Sequence, residues 1–112
     1  MQVSLFNDWR KSVVQSRKIE MLKANGRYTV VGVDREDVFS DKSLGEWEQV
    51  LENEDFVRIH KSYIVNLRYV EKIGNNVVLK DGTSVPLARR RKKEFEAKYK
   101  EYLMREDRPF MT

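Results

Sequence analysis

The stretch FVRIHKSYIVNL, residues 56–67, decides how the rest of this chain is read. Phe56-Val57-Arg58-Ile59 is strand-like, and Tyr63-Ile64-Val65-Asn66-Leu67 is apolar again. Between them lies His60-Lys61-Ser62, a polar break carrying a cation and the single histidine of the chain. β-branched and aromatic residues favour a pleated, half-buried surface. A short polar insert joining two such runs is where a small fold presents a recognition surface.

Working outward, hairpin signals flank this stretch on both sides. Upstream, Ile19, Met21, Leu22 and Ala24 precede Asn25-Gly26, and Arg27-Tyr28-Thr29-Val30-Val31-Gly32-Val33 returns. Asn and Gly both tolerate positive φ, so this pair marks a tight hairpin. Asp34-Arg35-Glu36-Asp37 predicts a polar turn before a short third strand at Val38-Phe39. Ser43-Leu44-Gly45-Glu46 has the spacing of a capping box. Leu44, Trp47, Val50 and Leu51 then form one apolar helical face, with the helix expected to end near Glu54 and to turn an acidic face outward. Downstream, Tyr69 to Ile73 alternates, Gly74-Asn75-Asn76 turns, and Asp81-Gly82 joins Val77-Val78-Leu79-Lys80 to Thr83-Ser84-Val85-Pro86-Leu87. Pro86 cannot donate to a ladder, so this last strand belongs at an edge. Phe95, Tyr99, Tyr102 and Leu103 recur at helical spacing.

The ends are patterned less clearly. Val3, Leu5, Phe6, Trp9, Val13 and Val14 fit either a marginal helix or a lead-in strand over residues 1–16. Residues 105–112 read as a flexible tail, with Pro109 closing off any helix. The expected fold is mostly β: an elongated, hairpin-rich arrangement of about seven short strands with one central and one C-terminal helix. The domain proper is expected over residues 17–104.

Composition narrows the chemistry. The 112 residues suit one domain with one modest core, at 40% hydrophobic and 36% charged residues. With no cysteine, disulfides, thiolate zinc sites and Cys nucleophiles are excluded. No apolar run approaches the roughly 20 residues needed to cross a bilayer, and no signal peptide is visible, so a cytoplasmic location is expected. The net charge of +4 leans toward a polyanion, and its distribution says more. Arg89-Arg90-Arg91-Lys92-Lys93 is five cations in a row, whereas Glu46 to Asp55 holds five acids and no base. No phosphate-cradling glycine loop, paired acidic site or nucleophile constellation is present, so catalysis, cofactor and metal are not expected. His60 has no second ligand or base partner in the sequence. It is expected to hydrogen-bond within its loop or to a phosphate. Trp9, Trp47, Phe95, Tyr99 and Tyr102 are read as core packing rather than base-stacking platforms.

Taken in order, these motifs resemble the LytTR-type DNA-binding domain of bacterial response regulators. The elements are Ile19-Glu20 leading into the Gly26-Arg27-Tyr28 hairpin and the Ser43-Leu44 helix start. Then come FVRIHKSYIVNL, close to the family's F-x-R-x-H-(R/K)-S-(Y/F)-(I/V)-V-N signature, and Asp81-Gly82-Thr83-Ser84-Val85-Pro86-Leu87-Ala88-Arg89-Arg90-Arg91. The resemblance covers residues 17–103. It implies a two-component, sequence-specific transcriptional regulator whose loops enter successive major grooves of double-stranded DNA. It further implies base-directed contacts from Arg27, Lys61 and Arg90, with Arg89 nearby. Ala88 stands where the family usually has Ser, and Lys61 is a point-charge donor without the two-pronged fork of arginine.

Arg27, Lys61 and Arg90 all fall at strand ends or loops, where cations can approach phosphates and base edges. The run containing Arg89, Arg91 and Lys93 suits a phosphate clamp, since five cations at a helix start would oppose its dipole. Ser62 suits a phosphate-contacting hydroxyl or a turn former, and Asn66 a side chain pinning the turn before Arg68. The expected partners are double-stranded DNA at repeated promoter sites, a second copy of the domain on DNA, and an upstream receiver or regulatory partner. No small-molecule substrate is expected. The alternative is an RNA- or anionic-membrane-binding basic module indifferent to DNA sequence.

Overall fold

The computed structural model describes residues 1–7 and 10–106. Among them, ten strands form three antiparallel sheets. A two-stranded ribbon pairs β1 (Gln2–Asn7) with β2 (Arg10–Gln15). The central five-stranded sheet comprises β3 (Ile19–Asn25), β4 (Tyr28–Val33), β5 (Glu36–Ser40), β6 (Phe56–His60) and β7 (Tyr63–Asn66), in the order β5-β4-β3-β7-β6. A three-stranded sheet comprises β8 (Val70–Ile73), β9 (Asn76–Leu79) and β10 (Ser84–Pro86), in the order β10-β9-β8. Pro86 thus sits on an edge strand, where its missing N–H costs nothing. The mostly β architecture agrees with the sequence reading. The molecule is longer than it is thick, with extents of 44 × 34 × 25 Å.

The central sheet buries both faces. On one side Leu22, Val31 and Ile64 pack with Leu44, Trp47 and Leu51 of the first helical segment and with Val3 and Leu5 of β1. On the other, Val57, Ile59 and Val65 meet Val70, Val77, Leu79 and Val85 of the smaller sheet. Phe95 and Tyr102 of α2 (Lys92–Glu106) complete that second core. Trp47 and Phe95 are both 0% exposed. Burying such a ring removes about 150–250 Å² from water, worth roughly 4–6 kcal/mol each as an upper bound. Trp47 keeps its polar end satisfied, the indole Nε1 donating to Ser40 Oγ at 3.0 Å.

Helix α1 (Leu44–Val50) starts as its sequence dictates. Ser43 Oγ accepts from the Glu46 amide at 3.1 Å, and the Ser43 amide donates to Glu46 Oε1 at 2.9 Å. The helix is shorter than expected: Leu51 is its C-cap, and turns occupy residues 51–55. Glu52, Glu54 and Asp55 explain the early stop, because carboxylates at a helix C-terminus oppose its dipole. Val50, the last residue of α1, is 38% exposed and lies outside the apolar face it was expected to join.

Three further outcomes are local. Of the two alternatives for residues 1–16, the described residues take the strand, with β1 paired to β2 and a 3-10 turn following at Ser16–Lys18. The expected core role of Trp9 and the tail over residues 107–112 fall outside the described residues; Arg105 belongs to α2. The loop of the β3–β4 hairpin is Gly26 and Arg27, one residue beyond the Asn-Gly pair, because Asn25 pairs with Tyr28. Gly26 carries the positive φ of 64°. The next hairpin turns through Asp34 and Arg35, both at positive φ, the pattern that best matches strand twist in a two-residue loop.

Candidate nucleic-acid interface

The antiparallel registers place three loops at one end of the central sheet. Lys23 pairs with Tyr63, so the β3–β4 loop bearing Arg27 lies beside the β6–β7 loop bearing Lys61. Beyond the paired residues the contact continues, with the Ala24 amide donating to Ser62 O at 2.9 Å. The third segment, a 3-10 turn at Arg89–Arg91 between β10 and α2, is drawn in by the Ala88 amide donating to Ile59 O at 2.8 Å. Arg27, Lys61, Arg89, Arg90 and Lys93 are exposed. The sequence therefore placed its candidate cations on loops, and the fold gathers those loops together.

The β6–β7 loop is a compact device. His60 pairs with Tyr63, leaving only Lys61 and Ser62 to turn the chain. The Ser62 amide donates to His60 Nδ1 at 3.1 Å. An accepting Nδ1 leaves the neutral ring's proton on Nε2. The His60 ring also meets Tyr63 edge-on, with centroids 5.5 Å apart. Both residues expected to shape this loop do so.

Arg91 differs from its neighbours. It is half-buried, its Nη1 donates to Arg58 O at 3.5 Å, and its buried Nε has no partner among the described residues. The basic run thus divides, with Arg89, Arg90 and Lys93 outward and Arg91 inward. The 3-10 turn keeps the first three arginines out of α2 proper, which eases the conflict of cations with a helix N-terminus.

One contact of this loop was hidden in the sequence. Arg58 reads there only as part of the strand-like run Phe56-Val57-Arg58-Ile59. In the fold its Nε donates to His60 O at 3.4 Å, its Nη2 donates to Lys61 O, and its Nη1 pairs with Glu48 Oε1 at 2.9 Å. No spacing rule exposes such a contact, because it depends on a register shift between Arg58 and His60.

The opposite end of the sheet is built differently. Asn66 is 2% exposed. Its Nδ2 donates to Ile19 O at 2.9 Å and its Oδ1 accepts from the Arg68 amide at 3.0 Å. Between the two ends, a cleft of about 450 Å³ opens beside β3, β4 and the β9–β10 loop. Its wall includes Glu20, whose carboxyl is pushed up chiefly by burial, and Asp81, held down chiefly by the Thr83 amide. None of the exposed cations of the three loops lines it. Among the described residues no cluster of three metal-ligating side chains occurs, and no helix is long and apolar enough to cross a membrane.

An antiparallel scaffold with cation-bearing loops gathered at one end is the arrangement of a loop-reading nucleic-acid-binding module. The family model of the LytTr DNA-binding domain matches residues 10–100. The chain belongs to the LytTR DNA-binding domain family. Its sequence is 32% identical over 78 residues to the sensory transduction protein LytT of Bacillus subtilis (strain 168), covering 64% of this chain and 32% of that protein. It is 27% identical over 97 residues to the heme-containing CO-sensing transcriptional regulator RcoM 2 of Paraburkholderia xenovorans (strain LB400), covering 80% of this chain and 36% of that protein. The chain thus spans about a third of the length of these relatives. Its fold matches that of a LytTr DNA-binding domain of a methyl-accepting/DNA response regulator from Bacillus cereus, with a TM-score of 0.76 and 24% identity over 87% of this chain and 94% of that one.

Proposed function

We propose that this domain reads specific double-stranded DNA sequences and thereby regulates transcription, with Arg27, Lys61 and Arg90 directed at base edges in successive major grooves. Arg89, Lys93, Arg91, His60 and Ser62 hold the flanking phosphates and shape the loops that meet them. The observation that carries this reading is the gathering of three separate basic loops at one end of the sheet, joined by the Ala24–Ser62 and Ala88–Ile59 backbone bonds. A small module has modest affinity against a genome of competing sites, which favours two copies on a repeated promoter site. The greater length of the relatives favours a receiver or other regulatory partner elsewhere, and the domain works in the cytoplasm without catalysis, cofactor or small-molecule substrate.

The test is the triple change Arg27→Ala, Lys61→Ala, Arg90→Ala, measured on a duplex enriched from a random pool and on a scrambled duplex. Each lost contact should cost about 1–3 kcal/mol on the enriched site. Unchanged affinity and selectivity would sink the reading. Competition by structured RNA or anionic vesicles as effective as the enriched duplex would favour the nonspecific alternative instead.

A further inference from the structure

The register shift in β6 leaves a hub between two of the basic loops. Arg58 pairs with Ile64 and His60 with Tyr63, so Ile59 is an extra residue, a β-bulge. Bulges bend a strand and release backbone groups from the ladder. Here Ile59 O accepts from the Ala88 amide, Arg58 O accepts from Arg91 Nη1, and His60 O accepts from Arg58 Nε. The backbone on either side of the bulge therefore anchors the Arg89–Arg91 turn, while the Arg58 side chain runs along the strand to the Lys61 loop.

We infer that Arg58 is a positioning residue for DNA reading: its guanidinium, fixed by Glu48 of α1, sets the aim of Lys61 without touching DNA. The inference rests on the DNA-binding reading above. A planar guanidinium has donors to spare for two loop carbonyls and a carboxylate at once, whereas an ammonium is a compact point charge without that fixed fork. The side chain is only 21% exposed and already engages three groups of the protein itself, which sets it apart from the exposed cations. Two carbonyls held from below fix the plane of the two-residue turn from which Lys61 projects. Specificity depends on where that ammonium sits, and sequence-independent attraction depends on its charge alone.

The experiment compares Arg58→Lys, Arg58→Met and Glu48→Ala with the parent domain. In the free protein, amide exchange at Ser62 and Ala24, both bonded through this loop, should quicken about tenfold or more in Arg58→Met, while the Arg68 amide at the far end is unchanged. On DNA, Arg58→Met should weaken binding to the enriched duplex about tenfold and leave the scrambled duplex within about twofold; Arg58→Lys should fail to restore it. The losses from Arg58→Met and Lys61→Ala should not add, since both disable one contact. Glu48→Ala, a surface change that leaves folding intact, should move both readouts the same way by a smaller amount.

Unchanged exchange at Ser62 and Ala24 would overturn the brace. Equal losses on both duplexes, adding to the effect of Lys61→Ala, would overturn it too, by making Arg58 a direct phosphate contact. If exchange quickens as expected but the parent domain does not discriminate between duplexes, the brace stands and the sequence-specific reading fails.

Discussion

The two ends of the central sheet handle polar groups in opposite ways. At the end bearing Arg27, Lys61 and Arg90, backbone bonds and the His60 and Arg58 side chains fix the loops, and these three cations are left exposed. At the other end, side chains themselves are the ties: Asn66 to Ile19 O and the Arg68 amide, and the Tyr69 hydroxyl to Arg17 O at 2.9 Å. Asn66 and Lys61 sit only five positions apart on one hairpin, yet one is buried and the other exposed. The difference teaches that buried ties and exposed cations are assigned to separate ends of the same pair of strands.

Substitution can break that separation or sharpen it. The largest effect is expected at the buried end. Asn66→Ala removes a donor to Ile19 O and an acceptor for the Arg68 amide, and should cost about 2–4 kcal/mol in urea unfolding while sparing the loops. Next, Lys61→Ala should lose about 1–3 kcal/mol on the enriched duplex with no change in melting temperature, whereas exposed Arg68→Ala should leave DNA affinity within about twofold. Equal losses from Lys61 and Arg68 would mean that total charge, not loop position, governs binding.

Smaller effects test the scaffold between the ends. Ser43→Ala removes the cap of α1 and should destabilise by about 1 kcal/mol. The Glu46 carboxyl is held below its ordinary value of 4.5, first by the Ser43 amide and then by the Ser43 hydroxyl. A depressed carboxyl stabilises the fold above its unfolded value, and the contribution is lost as pH falls through the folded one. The stability difference between the parent and Glu46→Gln should therefore be full at neutral pH and be lost progressively as the pH falls below 4.5. A difference that persists in acid would assign the effect to packing.

Sequence patterns exposed those parts of the fold whose signals are local. The capping box at Ser43 and Glu46, the hairpin at Asn25-Gly26 and the edge position of Pro86 all depend on neighbours within a few residues. The β1–β2 ribbon was ambiguous because Val3 and Leu5 alternate over too short a run to separate a period of two from one of 3.6. The exposed cations of the site were legible through the family resemblance and their loop positions. The inward turn of Arg91 and the reach of Arg58 were not, since both depend on the bulge at Ile59, where apolar alternation in the sequence gives no sign of an extra residue.

The two cores lie on opposite faces of the same strands. Ile64 belongs to the core of Trp47 and Val65 to the core of Phe95. Neither layer can melt without loosening β7, the strand paired with both β3 and β6. Tryptophan fluorescence reporting on Trp47 and helix signal dominated by α2 should therefore lose structure at the same urea concentration, as one cooperative unit. The basic loops, hung from both layers, would then disappear with them in a single step, so a partly unfolded domain retains no half-formed reading head.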